Sequence, residues 1–167
     1  MLLRPARATD ARRIAEIHVR AWQSGYAGLM PVDYLASLSV TQSEERWRKS
    51  LEAGTAVTLC ERDGVGAGWI SVGASRDSDA GVHVAELRAL NVCPDHWGHG
   101  VGRLLCSDAL RSLSEASFRE ITLWVVEGNA RAIRCYESLG FALEPGAVQR
   151  EPAGDAVTTE LRYRRRL

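Results

Sequence analysis

One stretch of the sequence decides the fold: Asn91-Val92-Cys93-Pro94-Asp95-His96-Trp97-Gly98-His99-Gly100-Val101-Gly102-Arg103-Leu104-Leu105. It joins an apolar run over 82–92, which predicts a strand, to a helical pattern over 100–115. Three glycines at alternate positions therefore stand at a strand-to-helix turn. Glycine lets the backbone approach a ligand closely, and the first amides of a helix have no partner within that helix. The turn is thus predicted to bind an anion such as phosphate.

Length and composition predict one ordinary globular domain over 1–167. A chain of 167 residues can bury most of its unfolded surface in a single core. The content of 46% hydrophobic and 25% charged residues is typical of globular proteins, and the formal net charge of zero argues against a nucleic-acid partner. No apolar run has the length of a signal peptide or membrane span. We therefore expect no membrane partner and a cytoplasmic location, with the cysteines reduced.

The hydrophobic pattern predicts a mixed α/β fold class. The elements follow the order strand, helical pair, three strands, helix, strand, helix, two strands. The strand over 82–92, the next helix and the strand over 121–126 form a βαβ-like unit, and ligands of such units bind beyond the carboxyl ends of the strands. The arginines over 162–166 are predicted to form a solvated basic tail.

Residue spacing excludes two common phosphate-binding motifs from the glycine turn. A dinucleotide fingerprint would need a third glycine where Arg103 stands, and a Walker-type loop would need a lysine, but the only lysine is Lys49. A metal site built from Cys93, His96 and His99 is also disfavoured, because these residues alternate with glycines that must face a phosphate. We therefore expect no metal.

The extended stretch Glu86-Leu87-x-x-Leu90-x-Val92-x-Pro94-x-x-Trp97-Gly98-x-Gly100-Val101-Gly102-x-x-Leu105 resembles the acetyl-coenzyme A motif of the GNAT superfamily of N-acetyltransferases. That motif has Gln or Arg, two residues, Gly, one residue, then Gly or Ala. Gly100 and Gly102 fill the glycine positions, whereas Trp97 replaces the Gln or Arg. We expect backbone amides, rather than the Trp97 side chain, to hold the pyrophosphate.

A second motif, Asn129-x-x-Ala132-x-x-x-Tyr136-x-x-x-Gly140-Phe141, is similar to the family's later segment. The two motifs together imply the GNAT-like acyl-CoA N-acyltransferase fold, with a mixed sheet of about six to seven strands flanked by about four helices. They also imply acetyl-CoA as cosubstrate. The residues that the resemblance assigns to the coenzyme are Leu90, Val92, Gly98, His99, Gly100, Val101, Gly102, Arg103 and Asn129.

The resemblance also assigns two catalytic candidates. Glu86 stands where some family members carry a general base, and we expect burial to raise the pKa of its carboxyl group. Alternatively, Glu86 is an exposed strand residue or one that orients a cationic substrate. Tyr136 matches the general acid that protonates the departing thiolate, although a core tyrosine would produce the same pattern.

The acceptor side is less specified by the sequence. Trp22, Tyr26 and Trp69 are candidate substrate contacts, with ordinary core packing as the alternative. The resemblance implies transfer of an acetyl group to a primary amine of a small molecule or peptide by direct attack. A coenzyme-binding sensor without turnover, or an enzyme for a longer acyl-CoA, are the alternatives. Homodimers are common in the family, so a second copy of the chain is a candidate partner.

Overall fold

The computed structural model describes residues 1–167 and contains one seven-stranded sheet and five α-helices. The strands are β1 (Leu2–Pro5), β2 (Val57–Arg62), β3 (Val65–Ala74), β4 (Val84–Val92), β5 (Glu120–Val126), β6 (Ala142–Ala153) and β7 (Ala156–Arg166). The helices are α1 (Ala11–Gly25), α2 (Val32–Ser37), α3 (Val40–Glu52), α4 (Val101–Glu115) and α5 (Ala130–Ser138). Short 3₁₀ turns cover Ala8–Asp10 and Pro94–His96.

The sheet has the order β1-β2-β3-β4-β5-β7-β6, and only the β4–β5 pair is parallel. The predicted α/β class and strand number are confirmed, while the number of helices is five instead of about four. The second helical region is divided because Leu38 is extended, and the Ser39 side chain then accepts a hydrogen bond from the Gln42 amide to begin α3.

Two hydrophobic clusters cover opposite faces of the sheet. Leu59 and Trp69 belong to the cluster with α1, whereas their neighbours Cys60 and Ile70 belong to the cluster with α4. Adjacent residues of a strand point to opposite faces, so α1 and α4 lie on different sides of the sheet. The α4 cluster also contains Tyr136 of α5. The βαβ unit is therefore closed on one side by α4 and α5.

The C-terminal arginines are part of the sheet, so the prediction of a solvated basic tail is wrong. Arg162 lies in β7 with only 8% of its side chain exposed, and its guanidinium forms ion pairs with Asp77, Asp79 and Glu144. A buried guanidinium requires such partners. The network attaches the loop between β3 and β4 to β7.

All four cysteines are free thiols, as expected. None of the five α-helices combines the length and the apolar character needed to cross a lipid bilayer.

Candidate active site

The site begins where β4 and β5 separate. Their parallel pairing ends at Leu87 opposite Leu123, and beyond this point β4 pairs only with β3 and β5 only with β7. The register between β3 and β4 shifts between Ser71 and Val72, which leaves Arg88 as the extra residue of a bulge. A bulge bends its strand, so it favours the divergence of β4 from β5. The carboxyl-terminal halves of the two strands consequently form the walls of an open gap.

Two backbone amides of β4 face this gap. The Cys93 amide donates to the Ala67 carbonyl on β3, with an N···O distance of 2.9 Å. Alternate amides of a strand point the same way, so those of Leu90 and Val92 point away from β3. These donors lack a β5 partner because β5 has diverged. They are available to a carbonyl group placed in the gap.

The glycine turn continues from the end of β4 to the start of α4. Gly98 and Gly100 adopt φ values of 76° and 79°, and Gly100 occupies the N-cap position of α4. An L-residue at such a φ is strained, which accounts for glycine at both positions. The first amides of α4 have no acceptor within the helix and sit at the positive end of its dipole. The turn thus has the properties of an anion site.

Trp97 has a structural role at this turn. Its indole Nε1 donates to the Val92 carbonyl over 2.8 Å, so its only polar atom is already engaged. The Arg131 guanidinium lies 3.3 Å from the centre of the indole ring, in cation–π geometry. Trp97 therefore braces the end of β4 and positions Arg131.

A cleft of about 380 Å³ runs from the glycine turn into the gap, and we name it the coenzyme cleft after the residues that the sequence predicts for the coenzyme. Most of the residues that the sequence assigned to the coenzyme line it: Leu90, Val92, Gly98, Gly100, Val101, Gly102, Arg103 and Asn129. His99 is exposed and is not among the lining residues, whereas His96 is. Arg131 and Cys135 also line the cleft and were missed. The only available signal for Arg131 was its place in the first turn after the predicted Asn129 cap.

Asn129 and Tyr136 come to the site through α5. The Asn129 side chain accepts a hydrogen bond from the Ala132 amide over 3.3 Å, which begins the helix, and the residue lines the coenzyme cleft at the same time. Tyr136 is 7% exposed and lines this cleft as well. Burial, followed by the nearby Cys106 and Tyr26, holds the pKa of Tyr136 well above its ordinary value. Its hydroxyl group therefore keeps its proton.

A second cleft, of about 460 Å³, adjoins the gap, and we name it the acceptor cleft after the amine acceptor that the sequence predicts. It shares several lining residues with the coenzyme cleft, namely Trp22, Tyr26, Leu90, Asn91, Asn129, Ala132 and Tyr136. The two clefts therefore meet at the gap. Charged residues that line only the acceptor cleft are Arg76, Glu86, Arg88, Glu151 and Glu160.

Glu86 lines the acceptor cleft, but its carboxylate is already paired. Two Arg76 guanidinium nitrogens lie 2.5 and 2.9 Å from its oxygens, and the Arg76 amide donates to it as well. Burial acts to raise the pKa of Glu86, but the hydrogen bonds from Arg76 outweigh it, so the pKa lies below its ordinary value. The expectation of a raised pKa is therefore wrong. The ion pair with Arg76, which lowers the pKa, could not be read from the sequence.

The three aromatic candidates for substrate contact divide into two groups. Trp22 and Tyr26 line both clefts and stack edge to face, with ring centres 5.0 Å apart. Trp69 has no exposed surface; its indole donates to the Ile14 carbonyl over 3.2 Å and packs against Trp47. A direct substrate contact for Trp69 is thus contradicted, since its side chain is fully buried in the core.

Comparison with known proteins agrees with this geometry. The model of the acetyltransferase (GNAT) family matches residues 10–141. The uncharacterized N-acetyltransferase YuaI of Bacillus subtilis is 30% identical over 131 residues, which cover 78% of this chain and 75% of that protein. The L-amino acid N-acyltransferase MnaT of Escherichia coli is 29% identical over 149 residues, covering 86% and 80% of the two chains.

The fold has close counterparts among solved structures. The PaiA N-acetyltransferase of Thermoplasma acidophilum, solved in complex with coenzyme A, superposes with a TM-score of 0.76 over the full length of both chains at 17% identity. The chain therefore belongs to the GNAT acetyltransferase family and is an acyltransferase.

Proposed function

We propose that this chain transfers an acetyl group from acetyl-CoA to a primary amine of a small molecule or peptide, by direct attack within a ternary complex. The observation that carries the proposal is the meeting of two clefts at the gap between β4 and β5, with Tyr136 lining both. Such an arrangement lets two substrates reach the gap through two adjoining clefts. Holding both reactants in place removes much of the entropic cost of a bimolecular reaction.

The residues of the coenzyme cleft fit a nucleotide-linked thioester. The amides that follow Gly100 would hold the pyrophosphate, with Arg103 and Arg131 as the cationic side chains nearest to it. Asn129 would contact the pantetheine arm while capping α5. The amides of Leu90 and Val92 would bind the acetyl carbonyl and stabilise the negative charge that develops on its oxygen.

Tyr136 would act as the general acid. Its hydroxyl group remains protonated at neutral pH, because burial raises its pKa, and it borders the gap where the thiolate would leave. A positioned acid of this kind typically contributes about 10²- to 10⁴-fold to the rate. The named relatives support an amine as acceptor, and MnaT supports a small-molecule amine in particular.

An acceptor panel tests this proposal. The purified protein is incubated with acetyl-CoA and amines of different classes, including amino acids, alkylamines and peptide N-termini, and the release of free thiol is followed. We expect amine-dependent release at a rate well above hydrolysis. Binding of acetyl-CoA without release on any amine would instead indicate a sensor, and faster release from a longer acyl-CoA would indicate a different acyl donor.

A further inference from the structure

Glu160 lines the acceptor cleft from β7. It lies in β7 opposite Val126, the last residue of β5. The last β4–β5 pair is Leu87 with Leu123. Val126 lies three residues beyond Leu123 on one wall of the gap, and Leu90 lies three residues beyond Leu87 on the other. Glu160 is therefore close to the level of the free Leu90 amide, one strand away from the gap. Neighbouring strands are separated by about 4.8 Å, so Glu160 stands about one strand spacing from the β5 wall of the gap.

Glu160 also differs from Glu86 in its partners. Its carboxylate accepts one hydrogen bond, from Gln149 over 2.7 Å, and forms no ion pair. Glu86 is held by Arg76 and precedes Leu90 by four residues, which places it roughly 13 Å back along β4. A carboxylate that takes a proton from a substrate must be near the reacting nitrogen and unpaired. Of these two carboxylates, Glu160 is the one that forms no ion pair and lies near the level of Leu90.

The surroundings of Glu160 connect it to the general acid. Glu151 from β6 is the titratable group that acts on Glu160; burial and the charge of Glu160 raise the pKa of Tyr26 in α1, and Tyr26 in turn adds to the burial that raises the pKa of Tyr136. Burial raises the pKa of Glu160, Gln149 opposes this, and the charge of Glu151 adds to it; the net shift is upward. A higher pKa makes the carboxylate a stronger base at neutral pH.

We propose that Glu160 is the carboxylate that accepts the proton of the acceptor's ammonium group, and that the acceptor is therefore an aliphatic primary amine. This inference rests on the proposed function. Aliphatic amines are positively charged near neutral pH and must lose a proton before they can attack. An arylamine is neutral there and would not use this carboxylate. The aromatic rings of Trp22 and Tyr26 in the same cleft also favour a cation.

The proposed reaction balances in protons and electrons. Glu160 takes one proton from the ammonium group, and the nitrogen lone pair forms a bond to the thioester carbonyl carbon. The carbon–sulfur bond then breaks, its electron pair goes to sulfur, and the Tyr136 hydroxyl group protonates the thiolate. The nitrogen then loses its second proton, which re-protonates Tyr136 through solvent, and Glu160 releases its proton. The products are one amide, one thiol and one proton.

The test compares Glu160→Gln with wild type on the best alkylamine of the acceptor panel and on an arylamine of similar size. We expect kcat/KM on the alkylamine to fall by about 10²- to 10⁴-fold at pH 7. In the variant this rate should rise about tenfold per pH unit, because the amine must now lose its proton in solution. Wild type should show no such rise near neutral pH, and coenzyme binding should be unchanged in both.

Glu127→Gln is the matched control, because Glu127 is exposed, follows β5 directly and lines neither cleft. It should retain the wild-type rate. Unchanged alkylamine turnover in Glu160→Gln, or arylamines as the preferred acceptors, would overturn the inference and leave the proposed function intact. Absence of turnover on every amine in wild type would overturn both.

Discussion

The coenzyme cleft and the acceptor cleft meet at one gap but are built in different ways. The coenzyme cleft depends on the backbone: free amides of β4, two glycines with positive φ, and the first turn of α4. The acceptor cleft depends on side chains that converge from α1, β4, β5, β6, β7 and the loop after β3. Backbone binding tolerates different side chains, whereas a cleft built from side chains changes with each substitution. One fold can thus keep one coenzyme and serve many acceptors.

The largest predicted effect concerns Tyr136, which belongs to both clefts. In Tyr136→Phe we expect kcat to fall by about 10²- to 10⁴-fold, because the thiolate loses its proton donor. Coenzyme affinity, measured by calorimetry, should stay near wild type. Tyr163→Phe is the control, since Tyr163 is equally buried but lines neither cleft. An unchanged rate in Tyr136→Phe would show that the two clefts do not share this acid.

The second prediction concerns how acid affects the stability of the fold through His18, a residue of α1 that lines neither cleft but packs against Trp22, which lines both. His18 packs between Trp22 and Trp69, and its buried Nδ1 has no hydrogen-bond partner. Burial, assisted by Arg46, lowers the pKa of His18 from 6.5 to about 4. The folded state therefore binds fewer protons than the unfolded state within this window, and stability must fall as the pH decreases through it.

We expect this single imidazole to cost up to about 3 kcal/mol of unfolding free energy between neutral pH and pH 4. Urea titrations at several pH values measure the loss, and His18→Gln should flatten it. An equally steep loss of unfolding free energy in His18→Gln would assign the acid sensitivity to other groups.

The third prediction concerns the backbone of the coenzyme cleft. Gly100→Ala places a Cβ on a residue with φ of 79°, which strains the turn and displaces its amides. We expect the dissociation constant for acetyl-CoA to rise on the order of tenfold, equivalent to about 1.4 kcal/mol.

Gly64→Ala provides the control, because Gly64 has the same φ of 79° and open space around it but lies in the β2–β3 turn, outside both clefts. Both variants should lose similar stability, and only Gly100→Ala should lose affinity. Equal affinities in the two would contradict a coenzyme site made of backbone amides.

The smallest predicted effect belongs to Trp97. Trp97→Phe keeps the ring under Arg131 but removes the hydrogen bond to the Val92 carbonyl, which should cost about 1 kcal/mol of stability. Coenzyme affinity should change by no more than a few-fold, because no polar atom of Trp97 is free for a phosphate. If Trp97→Ala abolished coenzyme binding in a folded protein, the side chain would be a ligand after all.

The end of β4 and the glycine turn could be predicted from the sequence because their parts are local. The run from Leu90 to Arg103 is continuous, and glycine spacing reports directly on backbone geometry. The α/β class and the order of the elements along the chain followed from hydrophobic periodicity in the same way. Each of these features depends on residues that are neighbours in the chain.

Only part of the acceptor cleft could be predicted, namely single residues such as Trp22 and Tyr26, because the contacts that build it join residues distant in the sequence. The ion pair between Arg76 and Glu86 reversed the expected pKa shift, and Glu160 became a candidate only through the pairing of β5 with β7. Nothing in the sequence around Trp69 distinguishes a core side chain from a substrate contact. Charge and burial at these positions are properties of the assembled sheet.

An amide chemical-shift titration with acetyl-CoA tests most directly the central claim that the backbone of β4 and the glycine turn receives the coenzyme. The claim predicts saturable shifts at Leu90, at Val92 and over 98–103, with Gly64 unmoved. Saturable binding whose shifts lie elsewhere and leave these amides unchanged would contradict it.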